Sequence, residues 1–493
     1  MSSAIKKLGK HTSIYMLGTI AGKFASFLLW PIYFRFLTKA DFGLLEMLAV
    51  TTELTGIIVA LGLSGAMFRF WSQYDDEAQK KAVIATTLGS TLLFAALGIG
   101  LAILFNPLIA KAVLGKEAAP YAFALLLSFV ATFFEVSLVP PLDALRMRQL
   151  SGWFVGLSLA RSIANMLLTA YLVAVQKMGV YGSVWANVII GGLAALLLLL
   201  YTAKQAGGIK ISRPLLREML GYGLPFVPTL LAGYALQATN RFFLRKYQGL
   251  EVVGLFAVGV KISSLLQVFI TASFNRVWSW QMFEVEKEPH PEKTVGRVMT
   301  YYVTGATFFG LSLAALSSDL IRIIPYSRPY WSAYQVVPLL TLGAIFYGAA
   351  WISGTGFYLK NKTLQRTYVV FITAGLNIIF NALLVPRLGA QGAAGAGALA
   401  FLALLVGSGW MTNRLFPVRW EWRRLLQALG LAAFLTLLAL VSCRPWPTLF
   451  PGGAIRLMLT LAFPLLLWVT GFFTEEELTV LKRRLFRRKG GGE

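Results

Sequence analysis

Residues 33–48, YFRFLTKADFGLLEML, line up with residues 243–258, FLRKYQGLEVVGLFAV, placing Gly43 over Gly254 at the start of an apolar run. A second pair stands at the same spacing. VAVQKMGVYGSVWANVI (173–189) aligns with LLVPRLGAQGAAGAGAL (383–399), placing Gly179 and Gly182 over Gly389 and Gly392. Self-similarity at a period of about 210 residues implies a duplicated unit. Each copy contains six apolar stretches. Six is even, so the two copies share an orientation and are related by an axis along the membrane normal. Parallel repeats of this kind are a common build of secondary transporters, which hold substrate between the halves near the bilayer midplane.

Composition agrees that these stretches belong in a membrane. Of 493 residues, 57% are hydrophobic and 13% charged, where a soluble domain carries about 25% charged residues. A span needs roughly 20 mostly apolar residues. Fourteen are expected, at 12–36, 41–66, 82–105, 119–141, 151–175, 181–203, 215–240, 250–275, 295–318, 334–357, 364–385, 390–413, 425–443 and 454–473. The fold class is therefore an all-α integral membrane protein of fourteen helices. Residues 1–206 form an N-lobe of helices 1–6, residues 207–414 a C-lobe of helices 7–12, and residues 415–493 add helices 13–14 and a basic tail. The longest expected loop is 276–294. MSSAIKKLGKH (1–11) leads straight into a stretch of spanning length without a small-residue cleavage site, so no cleavable signal peptide is expected.

The 45 Lys and Arg residues orient the chain. The termini and the loops on their side carry about twice as many basic residues as the opposite loops, which places both termini in the cytoplasm. The expected location is the cell (inner, cytoplasmic) membrane. The net charge of +24 follows from this alternation and calls for no nucleic-acid partner. The tail LKRRLFRRKGGGE (481–493) is read as a topology anchor on anionic lipid at the cytoplasmic face. One cysteine, Cys443, and two histidines, His11 and His290, exclude a disulfide framework and a multi-cysteine metal site. No cofactor or metal is expected. GAQGAAGAGALA (389–400) lacks the Lys-Ser/Thr of a phosphate loop, and its small residues read as a close helix contact.

Several segments resemble a known family. GTIAGKFASFLLWPIYFRFLTKADFGLLEMLAV (18–50) resembles the N-terminal signature of the polysaccharide-transport flippases. These belong to the multidrug/oligosaccharidyl-lipid/polysaccharide exporter superfamily. LDALRMRQLSGW (142–153), NRFFLRKYQGLEVVGLFAVGVKISSLL (240–266) and the run from Phe357 to Leu399 resemble its later segments. The resemblance implies two six-helix lobes around a cationic cavity open alternately to either side, with helices 13 and 14 offering a groove for a lipid tail. It implies a substrate of oligosaccharide linked through pyrophosphate to a polyprenyl lipid, and other polysaccharide-assembly proteins as possible partners. Many relatives carry Asp-Arg where this chain has Asn240-Arg241.

Three cations fall mid-span: Lys23, Arg161 and Lys261. A cation at the bilayer centre costs about 2.5–3.5 kcal/mol on insertion scales, so it faces water or a partner. Lys23 matches Glu53 in depth on the next helix, and Glu46 lies on the same face as Glu53. These acids either form a charge pair with Lys23 or couple transport to an ion. Arg161 has no local acid, only Asn165 one turn away, and either binds phosphate or bonds to helix carbonyls. Lys261 has no acid near it in helices 7 and 8 and is the favoured phosphate ligand. With Arg241 these cations make up the expected pyrophosphate site, since charge-assisted bonds from Lys and Arg match phosphate as it leaves water. Ser26, Gln237, Asn240, Gln267, Asn275 and the aromatic run FNRVWSWQMF (274–283) are candidate sugar contacts. Pro225 and Pro228 interrupt helix 7 and supply a hinge.

The expected function is therefore a flippase moving a polyprenyl-pyrophosphate glycan outward by alternating access. A cation-coupled multidrug exporter of the same superfamily is the alternative. A membrane enzyme acting on lipid-linked sugars would need an acid or base on a sizeable outer loop, and the outer side offers only Asp41, Glu117, Glu251 and Asp319.

Overall fold

The computed structural model describes residues 22, 27–115, 118–323, 328–442, 452–475, 477 and 479. They are helical throughout, with no strand among them. Among the described residues, eleven helices are long and apolar enough to cross a membrane. In chain order, α1 is Trp30–Phe36, α2 Lys39–Gln73, α3 Glu77–Leu104, α4 Ala119–Met147 and α5 Ser151–Val175. They continue as α6 Val180–Ala206, α7 Arg213–Gln248, α8 Leu250–Val285, α9 Pro291–Ile323 and α10 Arg328–Leu359. The long helix Thr363–Asn413 is two, α11 and α12, broken at Gly389 (φ 55°, ψ −129°). α13 is Trp422–Ser442, and α14, Ala454–Val469, is shorter. The protein is an all-α membrane protein. Each expected span has its helix, apart from the part of the first before residue 27, where only Gly22 is described. Lys23, Ser26, His11, Glu117, Cys443 and the basic tail 481–493 lie outside the described residues.

Two boundaries differ from expectation in an informative way. The loop expected over 276–294 shrinks to 286–290, because α8 continues through Val285. Its polar extension is anchored by Trp278, which is buried and donates from Nε1 to Thr355 Oγ1 at 3.1 Å. α7 likewise runs on to Gln248, so Arg241 and Arg245 are helical rather than loop residues. Mixed sequence at a helix end lowers mean hydropathy without breaking the helix, so an apolarity threshold stops short of the true terminus.

The chain divides into two compact units. The first comprises residues 1–257, 324–330 and 381–393; the second comprises 258–323, 331–380 and 394–493. In the first, Leu63, Met67, Phe70, Val83, Ile84, Leu88, Ala144 and Met219 form a buried core joining α2, α3, α4 and α7. α2 begins in a capping box. Asp41 N–H donates to Thr38 Oγ1 at 3.1 Å, and Thr38 N–H donates back to Asp41 Oδ2 at 3.1 Å. Beside it Lys39 pairs with Glu251 at 3.1 Å.

The repeat glycines meet in this unit. A Cβ on Gly43 would lie 1.9 Å from the Leu250 carbonyl oxygen, and one on Gly254 would lie 2.1 Å from that of Lys39. The aligned glycines thus face each other at the crossing of α2 and α8, and each makes room for the other's backbone. The second aligned pair shares a backbone conformation. Gly179 has φ 57° and ψ −134°, a match for Gly389. Only glycine adopts this region without strain. Gly254→Ala is expected to lower the thermal midpoint in detergent by several degrees, because backbone on both sides must shift. Gly100→Ala, where a Cβ meets nothing within 4 Å, serves as the neutral comparison.

In the second unit, α9, α13 and α14 share a core of Leu311, Ala315, Ala428, Ala432, Leu435, Phe463 and Leu467. An ion pair binds α14 to α9. Arg456 Nε donates to Asp319 Oδ2 at 2.8 Å and Nη2 donates to Oδ1 at 2.7 Å. Arg456 is fully buried and Asp319 nearly so. The sequence alone placed Asp319 among the acids of the outer side. In the structure Asp319 is in the last turns of α9 and Arg456 in the first turn of α14, each turned inward to the other.

Candidate intramembrane charge site

Most of the charged candidates of the first unit gather between α2 and α7. Glu46 and Glu53 are seven residues apart on α2, and Tyr234 and Arg241 are seven apart on α7, so each pair occupies one helix face. The helices run antiparallel, which sets Glu46 against Arg241 and Glu53 near Tyr234. Arg241 Nε is 3.5 Å from Glu46 Oε2, and the two side chains are only 14% and 13% exposed. Arg241 Nη1 donates to the Gln237 carbonyl at 2.7 Å and lies 3.5 Å from Asn240 Oδ1. Tyr234 donates its one hydroxyl proton to the Val50 carbonyl at 2.8 Å. The same hydroxyl lies within hydrogen-bonding reach of Glu53, which also feels the charge of Arg241. The arrangement is chemically suited to taking up and releasing a proton or a small cation.

The helices carrying this cluster are interrupted beside it. α2 breaks at Leu61 (φ 49°) and Gly62 (φ 70°). α7 tightens into a 3₁₀ turn, Leu224–Phe226, between Arg213–Gly223 and Val227–Gln248. Pro225 and Pro228 are the second residues of the last two of these segments, within the first turn of each. The breaks meet: a Cβ on Gly62 would lie 2.4 Å from the Gly223 carbonyl oxygen.

Arg161 sits apart from this cluster. It bonds through Nη1 to Glu135 Oε1 of α4, which corrects the reading that left it without an acid. Reading along α5 alone could not find that partner. Glu135 and Arg161 are both mid-helix on consecutive antiparallel helices, so matching by depth, as for Lys23 and Glu53, was the available signal. A cavity of about 150 Å³ opens beside them, lined by Ser162, Asn165, Asn187 and Gly191. The Asn165 Oδ1 is buried there without a hydrogen-bond partner, and the cavity has room for water.

The remaining candidates line up along α8 in the second unit. Lys261 is half-buried, and Ser264 Oγ donates to its carbonyl at 2.7 Å. Gln267 opens a π-helical turn, Gln267–Thr271, a feature that often marks functional positions in helices. Asn275 follows, with its Oδ1 buried and unpartnered. Among the described residues no group of histidine, cysteine, aspartate and glutamate could hold a metal ion.

Residues 8–280 match the family described as polysaccharide biosynthesis protein. The chain belongs to this family. Among solved structures it is similar to the lipid II flippase MurJ in an inward closed conformation, at 12% identity and a TM-score of 0.74, covering 93% of this chain and 99% of that one. It is also similar to an inward-facing multidrug resistance transporter of the MATE family, at 17% identity and a TM-score of 0.60, covering 84% and 98%. The fold is the one these two structures share, the second of which is described as a member of the MOP superfamily. An uncharacterized membrane protein of Methanocaldococcus jannaschii is 24% identical over 214 residues, and the match spans 41% of each chain.

Proposed function

We propose that the protein is a flippase that carries a polyprenyl-pyrophosphate oligosaccharide from the cytoplasmic to the outer leaflet by alternating access. The observation that carries this reading is the ionisable cluster of Arg241, Glu46 and Glu53 inside the membrane-spanning helices, beside paired helix breaks, in a chain of the polysaccharide biosynthesis family. Ionisable residues at this depth mark substrate or ion pathways, and broken helices in contact give the backbone a place to bend. Lys261, Lys23 and Arg161 supply positive charge to the pyrophosphate, and Gln237, Asn240, Gln267, Asn275 and Ser26 supply partners for sugar hydroxyls. Pro225 and Pro228 form the hinge. Both termini lie in the cytoplasm, and the two lobes follow the repeat, residues 1–206 and 207–414. The basic tail rests on anionic lipid.

Three of the four acids expected outside are already committed, Asp41 to a helix cap, Glu251 to Lys39 and Asp319 to Arg456, and the fourth, Glu117, lies outside the described residues. Outward movement of an anion is favoured by about 2.3 kcal/mol per charge per 100 mV, inside negative, so membrane potential alone can drive export. The multidrug-exporter reading is favoured instead by the two acids on α2, and one experiment separates the two. In proteoliposomes, a polyprenyl-pyrophosphate glycan is expected to flip at a rate that rises with an imposed inside-negative potential and falls at least tenfold in Lys261→Ala. Export of cationic drugs with no glycolipid flipping would overturn the proposal.

A further inference from the structure

The outer end of α7 carries an arginine that nothing above uses. Arg245 lies in the last turn of α7, and its Nε and Nη2 are buried without any hydrogen-bond partner. A cation in a last helical turn is ordinarily explained by the helix dipole and by bonds to the final carbonyls. That explanation fails for the two buried nitrogens, which reach no carbonyl. The guanidinium instead packs against Gly115, the residue that ends the short helix Asn106–Leu114. Gly115 has φ 56° and ψ −126°, and a Cβ there would lie 2.5 Å from Arg245 Nη2. Glycine is therefore required twice, once by the backbone and once by the arginine.

The two segments enclose a cavity of about 610 Å³, within the size range of small-ligand sites. Lys246 adds a second cation to its lining, and Phe243 and Tyr247, with rings stacked 6.3 Å apart, form an aromatic wall. Among the described residues no carboxylate lines the cavity, and the nearby Glu251 is taken by Lys39. We infer that Arg245, Lys246 and Gly115 form a phosphate-binding site at the outer end of α7, with the Arg245 guanidinium as the principal charge and Lys246 as the accessory one. The phosphate belongs either to an anionic phospholipid headgroup of the outer leaflet or to a soluble or glycan-linked pyrophosphate. The site stands whether or not the flippase reading holds.

The test uses the full-length protein, purified in phosphate-free buffer. Inorganic pyrophosphate is titrated calorimetrically in detergent, and retention of phosphatidylglycerol against phosphatidylcholine is measured by native mass spectrometry from nanodiscs. Arg245→Gln is expected to weaken at least one of these ligands tenfold or more, Lys246→Gln about threefold, and Gly115→Ala to act like Arg245→Gln by displacing the guanidinium. Loss confined to pyrophosphate identifies the soluble or glycan-linked source, and loss confined to phosphatidylglycerol the headgroup. Thermal unfolding separates a ligand site from a structural cation. Removing a buried unpartnered charge leaves the midpoint unchanged or raises it, whereas a fall of several degrees in both Arg245→Gln and Arg245→Lys would overturn the proposal. Unchanged binding of both probes in Arg245→Gln would also overturn it.

Discussion

Asp319→Ala is expected to destabilise the protein by about 3–5 kcal/mol, the range for removing one partner of a buried ion pair. The substitution leaves the Arg456 guanidinium with no exposed surface and without the carboxylate that accepts from its Nε and Nη2. Arg456→Ala adds a cavity to the loss, since its side chain is the largest of those fully buried. The decisive variant is the apolar pair Asp319→Leu with Arg456→Met. Replacing both partners with packed hydrophobic groups is often neutral or stabilising, so the double variant is expected to recover most of what either single loses. Denaturant titration in detergent, followed by the fluorescence of Trp468 on α14, gives the cycle. Single variants within 1 kcal/mol of wild type, an order-of-magnitude threshold for a paired buried charge, would show that α14 is held to α9 by the shared apolar core alone.

This pair also shows where sequence reading stops. The helices were legible because fourteen apolar runs and a repeat at about 210 residues impose them through periodicity and length alone. The glycine alignment carried further than fold class. Gly43 and Gly254 meet at a backbone contact, and Gly179 and Gly389 share a conformation that excludes other residues. Charge partners were less legible. Lys39–Glu251, Arg161–Glu135 and Asp319–Arg456 join different helices, and the last spans 137 positions. Hydropathy places a residue at a depth, but it does not state which way round the helix the side chain faces. Asp319 and Arg456 lie within a turn or two of helix ends, where hydropathy cannot separate a loop from a buried terminus. Arg241 was read as a phosphate ligand from its place near the end of α7. The structure places Glu46 3.5 Å from its Nε, a partner that reading along α7 does not show.

Arg241→Gln is therefore expected to have two separable effects. The first is structural. With the guanidinium gone, Glu46 loses a partner in a position only 13% exposed, and leaving a buried charged group short of a partner costs about 1–3 kcal/mol or more. The second is functional: glycolipid flipping in proteoliposomes is expected to fall at least tenfold, equivalent to about 1.4 kcal/mol in the barrier. A purely architectural ion pair predicts that both effects share one remedy. Adding Glu46→Gln to Arg241→Gln removes the acid with the base and should restore the thermal midpoint. If the cluster only holds α2 against α7, flipping returns with stability. If it forms part of the transport cycle, stability returns and flipping does not, because neither the charge that acts on Glu53 nor the exchangeable site at Glu46 remains. Arg241→Lys keeps the charge and loses the fork. In the transport reading it should recover part of the rate while the double variant recovers none, an ordering that packing alone does not produce.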